Sequence, residues 1–303
     1  MSAAMGTPKN TIQRAKELRA GTWAAIASYG MWGLFPLYWK QIADINAIQI
    51  LCHRMFWSAL FLLAVVMARG LTGQIIPIFR QKQSLVSVTA CGALISVNWG
   101  TYIWAVNSER VTEASLGYYI TPLLSVALGG IFFKEKMDKW TAQAIIIATL
   151  GVALTTVMIG KPPWVAVSLA ATFSVYGAIK KKADLDALAG LTAETLLAAP
   201  LALVWLLWAH SGGWSCFFGP DIKSATLLIV AGPVTAIPLL TFAYAAVRIP
   251  LQRIGFVQYF SPTIQLLIGL MAFGERLSLP MALAFATVIM AVAVYLGTRR
   301  LST

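Results

Sequence analysis

Charge is what this sequence has least of. Only 11% of its 303 residues are Asp, Glu, Lys or Arg, against 59% that are apolar; soluble domains carry about 25% charged residues. A water-soluble chain of this length cannot hide so much apolar surface. The composition therefore excludes a soluble enzyme or binding module and points to a polytopic membrane protein. Acidic residues are scarcer still, 11 against 23 basic ones, for a net charge of +12. That excess does not describe a nucleic-acid surface. The basic residues sit in short segments between apolar runs, where they report topology. Cysteine is sparse too: Cys52 and Cys91 fall in apolar runs and Cys216 in a polar loop. An odd count without metal-type spacing speaks against a disulfide framework or a zinc site and leaves small packing residues. There is no G-x-x-x-x-G-K-[ST], no H-E-x-x-H and no carboxylate pair spaced for acid–base work. ATP hydrolysis, metals and cofactors are accordingly not expected, and the chain reads as a non-enzyme. A membrane-embedded enzyme on lipid-linked substrates is the minority alternative, drawing on Glu194, His53 and Arg54, whose spacing does not support it. No separate signal-peptide apolar region precedes the first long apolar run, which is expected to act as an uncleaved anchor.

What the chain does have is one apolar run after another. A span needs about 20 mostly apolar residues, and ten stretches qualify. The first five are 21–41, 46–68, 84–106, 113–133 and 139–159; the second five are 163–182, 188–209, 223–246, 251–273 and 278–298. Connections are short, and no soluble domain is inserted. With the N-terminus inside, 17 of the 23 basic residues fall on the inner side and 5 on the outer, Arg54 lying within a span. This asymmetry predicts ten spans with both termini cytoplasmic. Residues 1–20 read as a solvated tail, with a short interfacial helix over 12–19 as the lesser alternative, and 299–303 as a second tail.

An internal repeat runs through this pattern. GYYITP (117–122) and VQYFSP (257–262) share a Tyr-x-x-Pro spacing inside apolar runs. Shifting the chain by 140 also lays Gly129 on Gly269, Phe133 on Phe273 and Glu135-Lys136 on Glu275-Arg276. A shift of 141 lays Trp23 on Trp164 and Lys40 on Lys181. Spans one to five thus correspond to six to ten. Each half has an odd number of spans, so the halves, 21–160 and 161–298, enter the membrane in opposite senses. Inverted repeats of this kind recur in secondary transporters, with the substrate site near the midplane between halves.

At 100° per residue, Ser115, Tyr118, Pro122, Ser125 and Gly129 share a sector of about 80°. Its counterpart is Gly255, Gln258, Pro262, Gln265 and Gly269. Lipid would leave these polar groups unsatisfied, so the stripes face protein or water. Cavity-lining helices bent at Pro122 and Pro262 are one reading; a close helix seam is the other, preferred for Gly129 and Gly269. The first span adds Tyr29, Gly33, Pro36 and Lys40 on one face, flanked by Trp32; the sixth adds Tyr176, and the third Asn98, Trp99 and Tyr102. Aromatic walls with few charges suit small amphipathic or aromatic solutes. Ionisable groups in a membrane are functional hypotheses. Glu194 is the deepest candidate contact. His53 could couple transport to protons, and Arg54 could pair with Glu113; snorkelling and a helix-dipole role for Glu113 are the structural alternatives. Glu135 and Glu275, at span ends, read as solvated or helix-packing charges.

The segments YGMWGLFPLYWK, ILCHRMFWS, NWGTYIWAVN, EASLGYYITPLLS, VYGAIKKK and GFVQYFSPT resemble the RarD branch of the drug/metabolite transporter superfamily, whose members carry paired EamA domains. The resemblance covers nearly the whole chain. It implies an all-α polytopic fold of ten helices in two inverted five-helix repeats, a central cavity and alternating access. Helices five and ten would be peripheral, and three, four, eight and nine central. Two positions depart from the pattern: Gln49 stands where Glu is usual, and Thr121 where Asn is frequent. The expected function is export of small metabolites, amino acids including aromatic ones, across the bacterial inner membrane, with drug efflux of chloramphenicol-like compounds as the alternative. The expected partners are a small-molecule substrate and the lipid bilayer, in a monomer or weak homodimer. The expected cavity comprises Trp32, Asn98, Trp99, Tyr102, Tyr118, Tyr176, Glu194, Gln258, Tyr259 and Gln265, with Pro36, Pro122 and Pro262 as hinges.

Overall fold

The computed structural model describes residues 8–134, 139–160, 162–214, 217, 220–246, 248–249 and 257–300. Glu135, Lys136, Cys216 and Gly255, discussed above, lie outside the described residues, as do 1–7 and 301–303 of the expected tails. Among the described residues all regular structure is helical. The long helices are α1 (Pro8–Lys40), α2 (Ala47–Ala68), α4 (Lys82–Asn107), α5 (Val111–Phe133), α6 (Lys139–Ile159), α7 (Trp164–Ala183), α8 (Ala187–Ser211), α9 (Ile222–Ala246) and α11 (Leu279–Arg300), with α3 (Ile75–Arg80) and α10 (Phe260–Leu267) much shorter. A π turn, Ile268–Ala272, extends α10.

Six of these (α2, α4, α5, α6, α8 and α9) are long and apolar enough to cross a membrane, and 260–272 and 279–294 are shorter apolar helices. The helices α1 and α7 fall outside that set. The first begins in a polar, basic segment and the second ends in Lys180, Lys181 and Lys182. The segment expected as a tail is helical from Pro8 and continuous with α1, and its described side chains between 13 and 20 are mostly exposed. The connection after α2 is not plain loop either: α3 inserts Ile75 and Ile78 into a cluster with Leu62, Val88 and Leu191.

Helix ends are set locally. The Asn46 side chain accepts from Ile48 N at 2.8 Å to start α2, and Asp186 accepts from Leu188 N and Ala189 N to start α8, satisfying donors that a first turn leaves unpaired. Lysines in the last turn of α7 complement its C-terminal dipole.

The helices pair as α5 with α7, α2 with α8 and α9, α4 with α7 and α8, α1 with α9 and α10, α5 with α10, and α6 with α11. Small residues allow the closest approaches. A Cβ on Gly232 of α9 would lie 2.5 Å from the Trp57 carbonyl carbon of α2, and one on Gly117 of α5 would lie 2.7 Å from the Ala166 carbonyl oxygen of α7. Without a hydrophobic drive between helices in lipid, such contacts, with hydrogen bonds between helices, hold them together. Large side chains such as Leu150, Val157, Leu201, Val204 and Met271 point outward and are exposed. That makes an apolar surface suited to lipid rather than water. The helix α6 is the least buried of the six.

Candidate functional site

A single cation organises the middle of the bundle. Arg54 of α2 is 3% exposed. Its guanidinium carbon stands 3.9 Å from the ring centre of Trp99 (α4), 5.0 Å from Trp39 and 5.6 Å from Phe35 (both α1). Each such contact contributes roughly 0.5–2 kcal/mol when desolvated. Nε donates to Thr235 Oγ1 of α9 at 2.9 Å, and Nη1 is buried without a hydrogen bond. The weighed ion pair with Glu113 does not form. Glu113 instead takes Arg110, one turn away, and accepts from Val165 N at 3.1 Å at the start of α7. Arg110 precedes Glu113 by only three residues, so this pair is local and legible in the sequence, whereas the weighed Arg54–Glu113 pair depended on how two helices lie together.

Tyrosines and an asparagine continue the layer. Tyr102 and Tyr118 meet edge to face at 5.7 Å. The Tyr118 hydroxyl donates to Asn98 Oδ1 at 3.5 Å, and Asn98 Nδ2 donates to Leu169 O and Thr172 Oγ1 of α7 at 3.0 and 2.9 Å. The Tyr102 hydroxyl and Trp39 Nε1 are buried with no hydrogen bond. His53, next to Arg54, accepts from Trp57 Nε1 at 3.2 Å and meets the Phe217 ring edge to face.

The second charged node is satisfied within itself. Glu194 of α8 is 2% exposed. It pairs with Lys180 at 3.0 Å and accepts from the Tyr176 hydroxyl at 3.1 Å, and Lys180 in turn donates to that hydroxyl at 3.1 Å. Glu194 therefore has its counter-charge at hand, and Tyr176 belongs to this triad rather than to the layer around Arg54.

The remaining expected residues are distributed along the α1–α10 seam and beyond. Pro36 cannot donate to the carbonyl one turn before it, that of Trp32. Gln265 Nε2 of α10 fills that place at 3.2 Å, and also reaches Ser261 Oγ at 3.3 Å. The Trp32 ring packs on Tyr29 and Phe242. Gln258 is half-buried in the turn before α10. Tyr259, half-buried, lies at the entry to α10. It stacks on Tyr119 at 5.9 Å, in a seam that includes Phe285 of α11. Ser115 Oγ donates to the carbonyl of Pro262 at 2.6 Å, and the Ser174 hydroxyl donates to Thr121 O beside Pro122 at 3.1 Å. Gly269 packs closely against Thr112. Glu275, expected as a solvated or helix-packing charge, takes the second role: its oxygens accept from Val111 N and Thr112 N at 2.7 and 2.8 Å, capping α5.

Thr235, Phe35, Trp39 and Lys180 were not singled out from the sequence. Phe35 and Trp39 lie on the first-span face one turn from residues that were, and the lysine lies four residues after Tyr176. A cavity of about 580 Å³ opens between α4 and α7, lined by Lys82, Val86, Ala90, Ile179 and Lys182. It sits at the end of the bundle where α4 begins and α7 stops, away from Arg54.

The EamA-like transporter family model matches residues 19–157. An uncharacterized transporter of Pseudomonas aeruginosa is 43% identical over 278 residues, covering 92% of this chain and 93% of that protein. The protein RarD of Streptomyces exfoliatus is 39% identical over 261 residues, 86% of this chain and 83% of its own. A solved crystal structure only 20% identical matches with a TM-score of 0.58 over 90% of this chain and 96% of its own, which shows a shared fold. With several apolar helices of membrane-spanning length and these relatives along most of its length, the chain belongs to the EamA-like transporter family, as a RarD-type multi-pass membrane protein.

Proposed function

We propose that this chain exports small metabolites, amino acids and aromatic ones first among them, by alternating access between two inverted five-helix halves, 21–160 and 161–298. The observation that carries the two-half mechanism is the pairing of helices. Leaving aside the short α3, exchange each helix for the one five spans away. The α5–α7 pair then becomes α10–α1, α4–α7 becomes α9–α1, and α2–α9 becomes α8–α4. The pairs α2–α8, α5–α10 and α6–α11 return to themselves. Such pairing supports an inverted repeat with its site at the repeat interface. The aromatic layer around Arg54 supports the substrate class, since flat rings and one cation suit amphipathic or aromatic solutes. Basic residues concentrated on one side support cytoplasmic termini in the bacterial inner membrane. The chain works without catalysis, as a monomer or weak homodimer.

Flux into proteoliposomes tests this. Vesicles containing the protein are expected to move labelled phenylalanine, tyrosine or tryptophan faster than empty vesicles, with and without a proton gradient compared in parallel. Equal flux across an amino-acid panel would overturn the reading. Resistance to chloramphenicol on expression, without altered amino-acid export, would establish drug efflux in its place.

A further inference from the structure

We infer that Arg54 is the anchor for a carboxylate on the transported solute, held over the Trp99 ring with Tyr102 and Trp39 as additional donors. This inference rests on the transport reading and names the chemistry its site selects.

The buried groups left without a hydrogen bond in this layer are donors. They are Arg54 Nη1, Trp39 Nε1, the Tyr102 hydroxyl and His53 Nε2, which carries the imidazole proton because Nδ1 accepts from Trp57. A buried cation normally takes a carboxylate partner, but the bundle's own carboxylates are committed elsewhere. Glu194 holds Lys180, Glu113 holds Arg110 and Glu275 caps α5. Among the described residues no Asp or Glu pairs with Arg54. The three rings beneath the guanidinium lessen the cost of burying it but carry no negative charge to neutralise it.

The geometry selects the ligand class. Nε is occupied by Thr235 and Nη1 is unpaired, so the open donor of the fork is at Nη1. A planar carboxylate matches a guanidinium better than a compact cation or a neutral amide does. The aromatic surroundings favour a solute whose remainder is apolar or flat. The adjoining Asn98 is committed to α7 and to Tyr118, so the layer has no second charge with which to bind an ammonium. Recognition of an amino acid at this layer is therefore through its acid end.

Calorimetric titration of the purified full chain in detergent micelles tests the assignment. The probes are benzoate, phenylalanine, phenylacetamide, phenethylamine and phenylphosphate. Benzoate and phenylalanine are expected to bind at least about tenfold more tightly than the amide or the amine, the penalty of leaving a charged donor unpaired. Arg54→Met, which keeps length and apolar contact with the rings, is expected to erase that preference. Arg54→Lys is expected to keep a weaker one. Should Arg54→Met fail to fold by its thermal melt, Tyr102→Phe serves: carboxylate binding should weaken roughly threefold or more with amide binding unchanged. Amide binding equal to acid binding, phenylphosphate favoured over benzoate, or an unchanged preference in these variants would overturn the assignment. The two readings fail separately. Carboxylate binding without amino-acid flux removes the export reading and leaves the anchor. Flux indifferent to amidation of the substrate and to Arg54→Met removes the anchor and leaves export.

Discussion

At the scale of the residue, a proline defect is repaired from the neighbouring helix. The carbonyl of Trp32 loses its intrahelical donor at Pro36 and takes Gln265 Nε2 from α10. In lipid an unsatisfied carbonyl has no water to turn to. Gln265→Leu is expected to lower stability by about 1–3 kcal/mol, read as a fall in the melting temperature of the detergent-solubilised protein. Pro36→Ala restores an N–H to the same carbonyl, so the double variant should be more stable than Gln265→Leu alone. Equal melting temperatures for the two would show that the glutamine contributes through something else. The sequence exposed both residues, Pro36 by its place in an apolar run and Gln265 by a polar stripe. It could not show that one answers the other, because they are 229 positions apart and the contact depends on how α1 and α10 lie together. The same limit explains Glu275, whose role as a cap on α5 lies in a different helix end from its own.

At the scale of the element, the length of the apolar runs made most helices legible. The expected runs 46–68, 84–106 and 139–159 became α2, α4 and α6 with ends displaced by two residues or fewer. Runs of apolar residues bounded by basic loops leave little freedom there. The ninth span was harder to read. It becomes α10 followed by a π turn at Ile268–Ala272, and nothing in an apolar stretch distinguishes an i→i+5 turn from an α-helical one. The prolines Pro233 and Pro238 within α9 also passed unremarked. They have no proline at the repeat-related positions, so the symmetry that drew attention to Pro122 and Pro262 gave no sign of them. Yet they bracket Thr235, the partner of Arg54. For the repeat-related pair, the expectation concerns rate. Pro122→Ala and Pro262→Ala should each slow flux several-fold while the thermal melt stays within a few degrees of the parent: Pro122 lies inside α5, where alanine gains a helix hydrogen bond but loses a bend, whereas Pro262 lies in the first turn of α10, where no intrahelical bond is at stake and only the fixed chain direction is lost. Parental flux in both would remove the hinge role.

At the scale of the whole molecule, charge asymmetry and pairing symmetry make one statement about orientation. Lys82 and Lys182 flank the cavity at one end of the bundle, while the Lys40–Glu109 pair and the Arg110–Glu113 pair mark the other. In a chain with its native cysteines replaced, a cysteine at 182 should react with a membrane-impermeant maleimide only after the cells are opened. A cysteine at 109 should react in intact cells. The reverse pattern would invert the topology and with it the direction assigned to transport.

Glu113 and Glu275 have a consequence for how the halves can move. Glu275, just beyond α10, grips the start of α5, and Glu113, in the first turn of α5, grips the start of α7. Three helix ends are thereby joined in series, like bars connected by two pins. Displacing α10 at that face pulls on α5, and α5 pulls on α7. The linkage joins helices from the first and second halves of the sequence, so on that side a shift of one helix end bears directly on the other two.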